Sequence, residues 1–185
     1  MISSPMLMPQ HNQRRQSAHS HTRDHVPHGP MPWLAILLSA LGLIPFIVCG
    51  LAALGPDLDT AARMLDALIG YAAVALAFVG GIHWGLELQS DQRLRSVSNA
   101  RLGLGILPLL VGWIALMLPL VAAPWVSLVL LIIAYIAAVL AEHEAGRRNL
   151  LPPRYLWVRW GFTVVAVAML VTVLTLRLIG LTIRF

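Results

Sequence analysis

Residues 33–54 read WLAILLSALGLIPFIVCGLAAL, 22 consecutive residues without a charge. Coiled as an α-helix, the stretch extends about 33 Å at about 1.5 Å per residue, enough to cross a hydrocarbon core roughly 30 Å thick. It is too long for the apolar segment of a cleaved leader and lacks an A-x-A pattern, so it is expected to be retained as a first transmembrane helix. Pro45, near its middle, removes a backbone donor and is expected to bend it.

Working outward from this block, four more apolar stretches follow at 65–88, 102–121, 125–141 and 156–176. The expected fold is therefore all-α, an integral membrane bundle of five transmembrane helices over residues 31–185. Residues 55–64 read as a short loop, with Gly55-Pro56 ending one helix and Asp57, Asp59 and Thr60 supplying turn or N-cap chemistry for the next. Residues 89–101 are polar, Pro108 is expected to kink the third helix, Pro119 and Pro124 bracket a tight turn, and 142–155 form a charged loop containing Pro152-Pro153. Composition agrees: 58% of the 185 residues are hydrophobic and 11% charged, where a soluble domain carries roughly a quarter charged.

Residues 1–30 differ in kind. They hold Arg14, Arg15, Arg23 and the histidines at 11, 19, 21, 25 and 28 among Ser, Gln and Pro, with no apolar run to offset the entropy of ordering, and are expected to form a disordered cytoplasmic tail. Histidine-biased tails are more often solvated than metal-binding. Met31 is an alternative candidate start.

The formal charge of +5 comes from thirteen arginines without a lysine. They lie beside apolar blocks rather than on a basic domain face, which argues against nucleic acid and for membrane orientation. Five spans place Arg14, Arg15, Arg23, Arg93, Arg95, Arg101, Arg147, Arg148, Arg154 and Arg159 on the tail side, and Arg63, Arg177 and Arg184 opposite. By the positive-inside rule the N-terminus is expected in the cytoplasm and the C-terminus in the periplasm of a bacterial inner membrane. Cys49, the single cysteine, excludes an intrachain disulfide and a cysteine-based metal cluster within one chain.

In the second block, Ala73, Ala77, Gly81 and Gly85 repeat every four residues, a small-residue ridge that suits close helix packing. His83 and Glu87 stand about half a turn away, and Phe78, Val79, Ile82 and Leu86 make a face suited to lipid. At the tail-side level His83 and Glu87 are expected near Glu142, His143, Glu144 and Arg159. Two readings attach to the cluster His83, Glu87, Glu142, His143 and Arg159. One is a pocket for a proton, a metal ion or a small cation. The other, preferred because a metal usually needs three or four ligands, is interhelical hydrogen bonding with Arg159 neutralising an acid. A haem held by His83 and His143 is a weaker third. The tryptophans fall mostly near span ends as interfacial anchors, and Thr163, Thr172 and Thr175 can bond back to their own helix. No nucleotide, hydrolase or zinc-protease motif is present.

The run Gly70-Tyr71-Ala72-Ala73-Val74, followed by Phe78-Val79-Gly80-Gly81-Ile82-His83-Trp84-Gly85, resembles the signature of the family labelled domain of unknown function 3429, which includes transmembrane protein 69. The stretch Leu41-Gly42-Leu43-Ile44-Pro45-Phe46, the segment from Pro108 to Trp113, and Tyr155, Arg159 and Thr163 are similar as well. The resemblance covers about residues 34–180 and implies a five-span membrane protein without an assigned activity. Glu142 stands where the resemblance leads one to expect an aspartate. The chain is thus expected to be a non-enzymatic structural or accessory inner-membrane protein without a cofactor. Its expected partners are the lipid bilayer and a second copy or another membrane protein; a small transporter or ion-binding protein is the alternative.

Overall fold

Helices are the regular structure throughout the described residues, which in this computed structural model are 33–89, 95–147 and 153–180, without the side chains of 35, 82–89, 95–104, 145 and 153–155. In chain order they are α1 (Trp33–Leu41), α2 (Ile44–Ala52), α3 (Leu58–Gln89), α4 (Arg95–Met117) with a 3-10 turn at Leu118–Leu120, α5 (Pro124–Arg147) and α6 (Pro153–Ile179). Among the described residues three apolar stretches are long enough to cross a membrane, Leu58–Gly81, Pro124–Glu144 and Leu156–Ile179; the apolar helical stretches Ile36–Ala52, which runs through α1 and α2, and Gly105–Leu120 are shorter. The expected disordered tail lies outside the described residues.

The first apolar block is two helices rather than one bent helix. Pro45 lacks the N–H that would bond back to the Leu41 carbonyl, and the chain tightens into a turn through Gly42 and Leu43, with Leu43 N–H donating to Ala40 O at 3.0 Å. At that break the Tyr71 hydroxyl donates to the Gly42 carbonyl at 2.7 Å, tying α3 to it.

Four boundaries in particular differ from the sequence reading. Helix α3 begins at Leu58 instead of 65, because the Asp57 carboxylate accepts the Thr60 N–H at 3.1 Å and caps it there. Helix α5 continues to Arg147, so Glu142 and Glu144 belong to a helix and not to the expected charged loop. Nothing in 142–147 breaks a helix, since charge by itself does not. Helix α4 likewise takes in part of the polar stretch before 102, and Pro153 opens α6, a first-turn position where a missing N–H costs nothing. Gly180, at φ +71°, lies just past the end of α6.

Phe46, fully buried, is the hub of the core. Its ring meets Tyr71 of α3, Tyr135 of α5 and Phe162 of α6 edge-on, with centroids 5.2, 6.1 and 5.9 Å away. Each such pair contributes about 0.5–1.5 kcal/mol beyond area burial. The Tyr135 hydroxyl donates to the Ala72 carbonyl at 2.9 Å. At the other end the Arg177 guanidinium donates to the Ala53 carbonyl at 3.1 and 3.2 Å, a cation at the last turn of α2.

The closest backbone approach joins α3 and α4. A Cβ on Gly112 would lie 2.8 Å from the Ala73 carbonyl oxygen, and one on Gly80 would collide with the Gly105 carbonyl. The pairs 73 with 112 and 80 with 105 run in opposite senses, so α3 and α4 are antiparallel and their small residues are spaced by seven. Gly81 differs: it is exposed, with open space where a Cβ would be. The reason is angular. Steps of four residues turn the direction by about 40° each, so the series Ala73, Ala77, Gly81, Gly85 winds away from the neighbour, whereas a step of seven drifts by only about 20°. Along the series Ala73 is buried, Ala77 half-buried and Gly81 exposed. The lipid-suited face moves with it: Phe78 is 72% exposed and Val74 63%, but Val79 is buried.

Candidate functional site

Helices α5 and α6 pack antiparallel, each along a stripe whose steps are three or four residues. On α5 it runs Leu128, Leu131, Tyr135, Val139 and Glu142; on α6 it runs Arg159, Thr163, Ala166, Leu170 and Val173, and all ten are buried. Steps of three and four that average close to three and a half keep one face toward a neighbour, as in coiled coils. What is unusual is that the stripes end in charges.

Glu142 is 0% exposed and Arg159 6%, and the Arg159 Nε donates to Glu142 Oε2 at 2.8 Å. A carboxylate or guanidinium alone in an apolar interior is strongly disfavoured, so the two are mutually required. The guanidinium also stands over the Phe162 ring, 5.9 Å from its centroid, which links the pair to the aromatic hub. Arg159 Nη2 and, one turn along α6, Thr163 Oγ1 are buried without a hydrogen-bond partner among the described residues. Thr172 does bond back to its own helix, donating to Ala168 O at 2.8 Å, as expected for a helical threonine; Thr163 does not.

Of the five residues singled out in the sequence, the structure brings Glu142 and Arg159 together. His143, one residue on, is turned away: it is exposed and packs edge-on against Trp160 at 6.0 Å. Glu144 pairs with Arg147 at 3.7 Å on the surface, a contact worth little. The side chains of His83 and Glu87 lie outside the described residues, as does Gly85. Among the described residues no three His, Cys, Asp or Glu side chains are grouped to hold a metal. Tyr135 and Tyr71 were missed in the sequence. Tyr135 could have been found from its place seven residues before Glu142 on one stripe; Tyr71 has no comparable signal, since its partner exists only because the chain breaks at Gly42.

The family model described as a protein of unknown function, DUF3429, matches residues 31–175. The chain belongs to the DUF3429 family. Its DUF3429 region contains the aromatic hub, the glycine contacts of α3 with α4 and the Glu142–Arg159 pair; Arg177 falls just beyond it. No curated protein and no solved structure matches the chain.

Proposed function

We propose that this DUF3429 protein is a five-span protein of the bacterial inner membrane, N-terminus cytoplasmic and C-terminus periplasmic, with a non-enzymatic structural or accessory role. The shorter apolar helices Ile36–Ala52 and Gly105–Leu120 belong to the uncharged blocks 33–54 and 102–121, each about 30 Å or more as helix. Ten of thirteen arginines then fall on the tail side. The observation that carries the structural role is the buried Glu142–Arg159 pair, spent on joining two helices beside a close-packed core. The lipid bilayer covers the exposed apolar surface, and a second copy or another membrane protein is the partner in the accessory role.

A reporter that fluoresces only in the cytoplasm tests the topology: fused after Phe185 it stays dark, and fused ahead of residue 31 it lights. Fluorescence from the C-terminal fusion overturns the five-span reading. A second reading, a membrane protein that binds a proton or small cation, is favoured by Arg159 Nη2 and Thr163 Oγ1, which are buried without a hydrogen-bond partner among the described residues. Buried ionisable and polar groups in a membrane bundle mark such sites.

A further inference from the structure

Arg159 Nη2 and Thr163 Oγ1 are buried, each without a hydrogen-bond partner among the described residues. A polar group shut away from water in this way is strongly disfavoured, because it gives up its bonds to solvent and gains none in return. Thr163 has a local remedy that it does not take. A helical threonine can turn its hydroxyl back onto the carbonyl four residues earlier, as Thr172 does onto Ala168; for Thr163 that carbonyl belongs to Arg159. Its hydroxyl stays instead on the buried stripe that α6 packs against α5.

The geometry brings the two groups to one place. Positions 159 and 163 are separated by about 6 Å of rise and about 40° of turn, so both side chains leave the same face of α6. Two contacts fix the guanidinium: Nε lies 2.8 Å from Glu142 Oε2, and the central carbon stands 5.9 Å from the centroid of the Phe162 ring. It therefore occupies the space between α5 and the turn of α6 that carries Phe162 and Thr163. Neighbours four apart on a helix stand about 5–6 Å from Cβ to Cβ, a gap that one bridging oxygen spans with two hydrogen bonds of about 2.9 Å.

The chemistry of the atoms selects the occupant. Nη2 offers hydrogen and no lone pair, so its partner brings an acceptor, whereas the Thr163 hydroxyl both gives and takes. Glu142 and Arg159 already cancel in charge, so an anion adds an uncompensated charge to the interior, and a cation finds no lone pair at Nη2. What fits is small, neutral and able both to accept and to donate. We infer that this end of the α5–α6 interface holds a buried water molecule, which accepts from Arg159 Nη2 and is shared with Thr163 Oγ1. Such waters make about three hydrogen bonds to groups otherwise unsatisfied. The inference deepens the structural reading of the Glu142–Arg159 pair and rests on it: the water extends an ion pair into a network one turn further along α6. The ion of the second reading is the rival occupant.

Unfolding of the full chain in detergent micelles reads the sign of Thr163→Val, which keeps the side chain's shape and removes its hydroxyl. Deleting a buried hydroxyl that serves nothing raises the midpoint or leaves it unchanged. Deleting one that helps to hold a shared water is expected to lower it by a few degrees. In the Glu142→Leu/Arg159→Met background, where the water has lost its other anchor, that fall is expected to vanish. A midpoint that does not fall, or a fall of the same size in both backgrounds, overturns the proposal. Should Thr163→Val fail to fold, a crystallographic map of the wild type that shows ordered water elsewhere decides alone. It is expected to hold a peak within about 3.2 Å of both atoms, without anomalous signal in protein prepared in bromide or rubidium salts. No peak, or the signal of either ion at it, overturns the water. The topology reporter reads a different quantity, so failure here leaves the five-span reading standing.

Discussion

Replacing Arg159 by methionine removes the guanidinium and keeps most of the side-chain volume. It leaves the Glu142 carboxylate, 0% exposed, without the cation that lies 2.8 Å away in the folded chain. Two unit charges about 4 Å apart at an effective dielectric of about 20 attract by about 4 kcal/mol, and breaking buried pairs in this way costs about 3–5 kcal/mol. Arg159→Met should therefore be destabilised by about that much, and Glu142→Leu similarly. The double variant Glu142→Leu/Arg159→Met removes both desolvation penalties, and its stability should return to within about 1 kcal/mol of wild type or exceed it. Reversible unfolding in mixed detergent micelles, followed by tryptophan fluorescence, measures all four corners of the cycle. If the double variant loses as much as the two single losses added together, the charges are not coupled and the account of the pair is wrong.

Three further outcomes follow from the packing and the cap. Gly112→Ala drives a methyl against the Ala73 carbonyl and should cost about 1–3 kcal/mol in the same unfolding assay, whereas Gly81→Ala, with open space, should change stability by less than about 0.5 kcal/mol. Tyr135→Phe deletes the hydrogen bond to Ala72 O and should cost about 0.5–1.5 kcal/mol while leaving the aromatic hub in place, which the unfolding midpoint reports. Hydrogen bonds from the Thr60 side chain and backbone hold the Asp57 carboxyl below its ordinary value of 3.8. The ionised cap therefore supports the first turn of α3 at every pH above that value and is lost as pH falls through the lower, folded-state value. Hydrogen exchange at the Thr60 amide should accelerate across that acid range in wild type and show no such step in Asp57→Asn.

Solvation is what a sequence displays most openly, and the apolar stretches of α3, α5 and α6 are legible because a long, predominantly apolar run admits few alternatives. Boundaries were less so. The start of α3 turned on one Asp57 to Thr60 hydrogen bond, and the end of α5 was misplaced because charged residues suggested a loop where no helix-breaking residue stood. Arg159 as the partner of an acid was legible from the cost of burying it alone, but the choice of Glu142 was not, since its depth depends on α5 running on past 141. On α3, Ala73 meets a neighbour and the contact passes next to Gly80, because these two helices keep in step every seven residues, whereas the sequence pattern displays the step of four.

Phe46 stands on α2, whereas one of its three ring neighbours, Phe162, stands far along the chain on α6. The hub is therefore a non-local contact that cannot close before α6 has been made: a chain cut short ahead of α6 would lack one of the three rings around Phe46, so α2 depends for its full burial on sequence that begins only after three intervening helices.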